Sequence, residues 1–508
     1  MTTTHPALTI GVVGAGTMGR GIAQLFVVAG HRVLCHDAME GAAPKAVDAV
    51  GAMLSKLAEK GRLDPLAVAD ARARLSAVGS LEGLADCDLV VEAIVEDLEV
   101  KRSLFKQLEG IVRADAILAS NTSSLTVSEI AAACARPERV AGLHFFNPVP
   151  LMRVAEVIAA PRTSPEVIDK VRVLITATGH RAVVAADQPG FLVNHAGRGL
   201  YTEGLRVVEE QAATPAEVDT ILREAAGFRM GPFELLDLTG LDVSSRVMSS
   251  IYEQFQQEPR FRPSSLVAPR VAAGLFGRKT GEGWYRYENE AKVVAVAPDV
   301  PALPPGLSVW IDPLAPEHAQ LTELVTTAGA VLARDAMQPS ALLLVQPWGG
   351  DATSTCVALG IDAARTVAID PLPGLARHRT LMLTVATSPA VRDAAHALFA
   401  NDGTGVTVIG DSPGFVVQRV LATVVNIAAN IAQRGIASVE DLEDAVRLGL
   451  GYPMGPLAWG DQIGARTVLE ILRNMQAATG DPRYRPSAWL VRRADLGLPL
   501  TTPEASRR

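Results

Sequence analysis

The sequence predicts an N-terminal α/β domain built on a parallel sheet, after which the chain repeats itself in an altered second copy. Three observations point there. A short apolar run, Leu8 to Val13, leads straight into a glycine-rich turn and a helical pattern. Further apolar runs, each ending in polar residues, follow through the first 150 residues. Short motifs near residues 163, 187 and 227 then recur 224 residues later. At 508 residues the chain exceeds one compact core, so two to four domains are expected.

The nearly all-apolar run Leu8–Val13 suits a strand buried on both faces. Gly14, Gly16 and Gly19 follow it as GxGxxG, with Thr17 and Met18 completing the loop. Gly14 permits the turn, Gly16 lets a pyrophosphate approach the backbone, and Gly19 lets the helix pack on the strand. A helix from Thr17 presents its free N–H groups to phosphate. Gly30 closes that helix, and "HRVLCHD" is a second strand ending at Asp37, 18 residues beyond Gly19. A carboxylate there accepts hydrogen bonds from ribose hydroxyls and repels a 2′-phosphate, which selects NAD over NADP. The domain therefore reads as a Rossmann-type NAD-binding domain. "CDLVVEAI", "AILASNTSS" and "RVAGLHFFNP" continue the alternation. Glu96, Asn121, Ser123, His144 and Asn147 fall at or just beyond strand ends, where a parallel sheet places its ligand crevice.

Composition narrows the function classes. Hydrophobic residues at 48% and charged residues at 20% describe an ordinary globular chain. A net charge of −8 gives no footprint for nucleic acid, and no apolar run reaches the length of a membrane span. The start, "MTTTHPALTI", lacks the order of a signal peptide. Cys35, Cys87, Cys134 and Cys356 form no CxxC pair and read as reduced, buried thiols of a cytoplasmic protein. No metal site is expected.

The stretch "HFFNPVPLMRVAEVI" sets His144 and Glu156 twelve positions apart with a rigid proline corner between them. Together with "GAGTMGRGIA", "VVEAIVEDLEVKRSLF", "SNTSSL", "PGFLVN", "GFRMGPFELLDLTGLD" and "FGRKTGEGWYRY", it resembles the 3-hydroxyacyl-CoA dehydrogenases over residues 8 to 287. The resemblance implies oxidation of a (3S)-3-hydroxyacyl-CoA by NAD, with His144 as general base and Glu156 as the carboxylate that orients it. It implies substrate contacts from Ser123 and Asn194, and places Asn147 beside the pair, near the cofactor with Asn121. Glu96, Lys101 and Lys279 match cofactor contacts. Lys60 matches a CoA contact more weakly, and a solvated helix face explains it equally well. Ser123 also reads as the N-cap of a helix beginning in "SSLTVSEI".

The resemblance implies an all-α domain after the NAD-binding one. The repeats "DQPGFLV"/"DSPGFVV" and "GFRMGP"/"GYPMGP" then mark a second helical copy. The expected domains are 1–186 (NAD-binding), 187–287 (helical), 288–305 (a proline-rich linker), 306–410 (a degenerate Rossmann-like segment) and 411–508 (a second helical domain). In the second copy Thr380 stands in the place of Glu156 and Gln418 in that of Asn194, and "VAIDPLP" replaces "HFFNPVP". One active site and a structural second half follow, the latter filling the place of a dimer partner in shorter relatives. Homo-oligomerisation stays open.

The long two-copy form resembles the bacterial enzyme of phenylacetate degradation, which implies 3-hydroxyadipyl-CoA as substrate, with 3-hydroxybutyryl-CoA also open. Arg198, one turn after Asn194, is a candidate for the adipyl carboxylate, against a helical-domain contact or a solvent face. A lysine-type β-hydroxyacid dehydrogenase and a non-catalytic crystallin-like relative are the alternatives, and the intact His, Glu, Ser and Asn set argues against both. No hydratase-like segment precedes residue 8, so a multifunctional β-oxidation enzyme is not expected.

Overall fold

The computed structural model describes residues 7–289, 291–293 and 299–505. The first six residues of the opening segment, and residues 290 and 294–298 around the expected linker, lie outside them. The first sheet has eight strands: β1 (Thr9–Val13), β2 (Arg32–His36), β3 (Leu75–Ala77), β4 (Leu89–Glu92), β5 (Ile117–Ser120), β6 (Val140–Phe145), β7 (Val154–Ala159) and β8 (Arg181–Ala186). Their order is β3-β2-β1-β4-β5-β6-β7-β8, which puts the switch point between β1 and β4. All pairings are parallel except β6 with β7. The central strands are buried on both faces, as their apolar runs require, with separate side-chain clusters on either side of the sheet, while the edge strand β3 buries only Leu75.

The chain divides into two compact units, and the division cuts across the boundaries expected from the sequence. One unit is Met1–His195 together with Arg434–Leu450. The reason lies at the β8 edge. The helix Val439–Gly449 from the second copy packs there, and Arg181 pairs with Asp441 at 2.7 Å and Asp444 at 2.8 Å. The Ala186 N–H donates to the Ile436 carbonyl at 2.7 Å, covering what would otherwise be an open sheet edge.

The other unit is Ala196–Gln433 with Gly451–Arg508. Its two longest-buried helices, Arg198–Glu209 and Val417–Gln433, pack face to face. A Cβ on Gly199 would stand 3.1 Å from the Val424 backbone nitrogen, so glycine sets how closely they approach. Between them lies a buried polar cluster. Glu203 accepts from Arg483 at 3.1 Å, the Tyr484 hydroxyl at 3.0 Å and Arg419 at 3.4 Å, and Arg419 also reaches Glu210 at 2.7 Å. Groups this buried persist only when paired, because an orphaned charge costs several kcal/mol, on the order of 3–5.

The motif "FGRKTGEGWYRY" leads into a short hairpin, β9 (Tyr287–Glu288) with β10 (Ala291–Lys292). Asp237 anchors its approach by accepting from the Trp284 and Tyr285 amides, both at 2.9 Å, and from the Tyr287 hydroxyl.

The degenerate segment is more complete than the sequence suggests. It forms a six-stranded sheet from β11 (Ser308–Ile311), β12 (Val331–Leu332), β13 (Leu342–Val345), β14 (Thr366–Ile369), β15 (Arg379–Leu383) and β16 (Val406–Ile409). The order is β12-β11-β13-β14-β15-β16, with the one antiparallel step, β14–β15, at the position matching β6–β7. The fold outlived the glycine fingerprint because a buried parallel sheet needs only its apolar runs.

Candidate active site

The glycine loop separates what the chain needs from what a ligand needs. Gly14 has φ 109°, and a Cβ there would meet the Ala93 carbonyl oxygen at 2.4 Å. A Cβ on Gly19 would sit 1.7 Å from the Gly14 carbonyl oxygen, so both glycines serve packing. A Cβ on Gly16 would meet nothing within 4 Å. The protein itself makes no demand for glycine there, which leaves a close-approaching ligand as the reason. Thr17 and Met18 open the helix Thr17–Val28, whose first turn presents unpaired amides beside this gap. Asp37 lies at the end of β2 and accepts from the Ala15 amide at 2.7 Å and the Met39 amide at 2.8 Å. Its carboxylate thus fixes the glycine loop at the end of β2. These residues fit a dinucleotide, and when bound NAD supplies the hydride acceptor.

At the carboxyl end of β6 the opening pattern resolves. His144 and Glu156 are directly opposed across the antiparallel β6–β7 pair, and His144 Nδ1 lies 2.5 Å from Glu156 Oε2. Glu156 is fully buried, on a strand that lies between β6 and β8 in the sheet. Its other oxygen accepts from the Leu192 and Val193 amides at 2.9 and 2.8 Å. These amides are aimed by the turn at Gly190 and Phe191, both at positive φ. With Nδ1 committed to the carboxylate, Nε2 is the nitrogen available to a substrate proton. Phe146 and Phe191 flank the imidazole, with ring centroids 4.6 and 5.9 Å away.

The neighbouring candidates are tied into the same strand ends. Asn121 accepts from the Phe145 amide at 2.9 Å, joining β5 to the residue after His144. Asn147 is exposed at the following corner. Ser123 donates its amide to Glu96 Oε1 at 2.9 Å, and Thr122 and Ser124 converge on the same oxygen. Burial opposes the Glu96 charge, but Lys101 and these hydrogen bonds outweigh it and hold the carboxyl below its usual range. Asn194 sits in the short helix Val193–Ala196, immediately after the Val193 amide that binds Glu156.

Several expectations change. Ser123 is not the helix N-cap: Thr126 is, accepting from the Glu129 amide, because the "SNTSS" loop first wraps Glu96. Lys101 is 1% exposed, paired with Glu92 at 2.5 Å and Glu96 at 3.2 Å. It therefore supports Glu96 rather than presenting its ammonium on an open face. Glu92, which also accepts from Ser120 at 2.6 Å, went unnoticed in the sequence, although an acid ending the apolar run "LVVE" was the available signal. Lys60 caps the end of the helix Ala42–Glu59 and is exposed.

Two candidates belong to the other compact unit. Lys279 pairs with Asp242 at 2.5 Å. Arg198 is buried with its guanidinium 4.8 Å over the Tyr201 ring, and burial holds its pKa below the usual arginine range. A solvent face is therefore excluded for Arg198.

The second copy replaces this chemistry with clamps. Gln418, in the place of Asn194, donates to Asp370 at 2.9 Å and accepts from the Gly349 amide at 2.7 Å. Thr380, in the place of Glu156, is fully buried. Among the described residues no metal-ligating cluster occurs, and no helix is long and apolar enough to cross a membrane.

A glycine loop fitted to a dinucleotide beside a carboxylate-bound histidine defines an NAD-dependent dehydrogenase. The 3-hydroxyacyl-CoA dehydrogenase NAD binding domain matches residues 9–188, and the C-terminal domain of the same family matches residues 190–287 and again 414–503. The chain belongs to the 3-hydroxyacyl-CoA dehydrogenase family. It is 38% identical to the 3-hydroxyadipyl-CoA dehydrogenase of Escherichia coli K12 over 96% of this chain and 98% of that one. It is 40% identical to the mitochondrial hydroxyacyl-coenzyme A dehydrogenase of Sus scrofa, over 54% of this chain and 90% of that one. A crystal structure of 3-hydroxybutyryl-CoA dehydrogenase from Escherichia coli K12 matches with a TM-score of 0.85 at 36% identity, covering 97% of this chain and 99% of that one.

Proposed function

We propose that the enzyme oxidises 3-hydroxyadipyl-CoA to the 3-oxoacyl-CoA, with His144 Nε2 taking the hydroxyl proton. The observation that carries the mechanism is the 2.5 Å contact between His144 Nδ1 and a carboxylate pinned by two backbone amides. Glu156 keeps the proton on Nδ1, so that Nε2 is the base, and stabilises the imidazolium as it forms. Ser123 and Asn194 hydrogen-bond the substrate oxygens. Glu96, positioned by Lys101, faces the cofactor, as do Asn121, Asn147 and Lys279. Lys60 serves the CoA phosphates from its exposed helix end.

The adipyl assignment follows the full-length similarity to the E. coli enzyme of that name. A panel of 3-hydroxyacyl-CoA substrates followed by NADH absorbance tests it: a kcat/KM favouring 3-hydroxybutyryl-CoA over the adipyl substrate would overturn it. Arg198→Met separates the roles of that arginine. A loss of about tenfold or more in kcat/KM on the adipyl substrate alone assigns it to the carboxylate, and equal losses on adipyl and hexanoyl substrates assign it to packing.

The second half acts structurally, in the place of a dimer partner. The Arg181 contacts to Asp441 and Asp444 and the covered β8 edge support this reading. A chain ended after Tyr287 is expected to aggregate or dimerise, and a soluble, active monomer would refute the reading. Four free, buried cysteines fit a reducing, cytoplasmic setting, with burial pushing the Cys35 and Cys87 thiols up to about 12.

A further inference from the structure

We infer that the second copy's cleft is a non-catalytic binding site for a short-chain carboxylic acid. A cavity of about 560 Å³ opens within the second compact unit, walled by Trp348, Leu372, Val417, Met454 and Trp459. Volumes of this size hold small organic ligands. One wall residue repeats a residue of the reaction site: Val417 follows Val193 by 224 positions (417 − 193), and Val193 is the residue whose amide binds Glu156.

What changed is the chemistry beneath. Gln418 is committed to Asp370 and to the Gly349 amide, and Trp348 is held through its carbonyl by Asn474 at 2.8 Å. The acid–base pair is gone, but the wall at Trp348 and Val417 is fixed in place. A fixed wall costs a ligand little ordering on binding.

Charge selects the ligand class. Among the described residues Arg377 is the one charged side chain lining the cavity. Its described hydrogen bond goes to the Ala225 carbonyl at 3.3 Å. A guanidinium has five donors in a planar fork, so most remain for an anion. A short aliphatic chain with one carboxylate end matches a cleft of mixed lining, in which two indoles and aliphatic side chains stand beside Gln462 and a single cation.

Calorimetric titration of the full-length protein with hexanoate tests this, with hexanol as the neutral counterpart. Saturable hexanoate binding is expected, at least about tenfold tighter than hexanol. Arg377→Met is expected to weaken it by about tenfold or more and leave kcat/KM on 3-hydroxyacyl-CoA unchanged. Met454→Trp, which fills the cavity, is expected to abolish binding while the protein still turns over substrate. No saturable binding, equal affinity for hexanol, or unchanged hexanoate affinity in both variants would overturn the site. None of these outcomes depends on which acyl-CoA the enzyme oxidises.

Discussion

Replacing Glu156 with glutamine alters one atom at the centre of the site. The carboxylate uses Oε1 for the Leu192 and Val193 amides and Oε2 for His144 Nδ1. In Glu156→Gln the single remaining oxygen stays with the two amides, since an NH2 facing two N–H groups would leave three donors opposed. The NH2 then faces Nδ1 and forces it to accept, which moves the ring proton to Nε2. A protonated Nε2 cannot take the substrate hydroxyl proton. The variant should fold normally and bind NAD as the wild type does, yet lose the general base. That loss is worth about 10²–10⁴ in kcat, or about 3–5 kcal/mol. The assay is initial-rate NADH formation, alongside NAD affinity by fluorescence and a thermal melt. Because both groups act as one unit, Glu156→Gln with His144→Ala should be no slower than His144→Ala alone. A Glu156→Gln enzyme within about twofold of wild-type kcat, or fully additive losses in the double variant, would refute the tautomer argument.

The glycine loop makes a paired prediction: Gly16→Ala should alter stability by less than about 1 kcal/mol yet weaken NAD binding about tenfold or more. Gly19→Ala should destabilise by about 3 kcal/mol or more, read by denaturant titration. Asp37→Ala should cost roughly 1–3 kcal/mol of NAD affinity and relax discrimination against NADP, and a wild type that prefers NADP would contradict the assignment. Burial pushes Asp370 from 3.8 up to about 7, so its neutral form is the one the fold accepts. Its contribution is present below about pH 4 and is lost as pH rises towards 7, by about 4 kcal/mol at most. Asp370→Asn should therefore gain on the wild type in melting temperature between pH 5 and pH 8, and a difference independent of pH would contradict this.

Short-range geometry is what the sequence determined by itself. The apolar run into GxGxxG, the strand ends carrying Asn121 and His144, and the repeat at 224 positions depend only on local sterics and period, so they were legible without a structure. The pairing of His144 with Glu156 was suggested by likeness, but its cause is cross-strand register, which residue spacing does not specify. Partnerships across the fold were decided only in three dimensions. Lys101, matched to a cofactor contact, is buried between Glu92 and Glu96, and Ser123, matched to a substrate contact and read also as a cap, donates its amide to Glu96. The helix Val439–Gly449, assigned by sequence to the last domain, packs with the first because Asp441 and Asp444 face Arg181 on the β8 edge. A charged side chain's role depends on which carboxylate or amide packing brings within about 3 Å, and residues hundreds of positions away settle that.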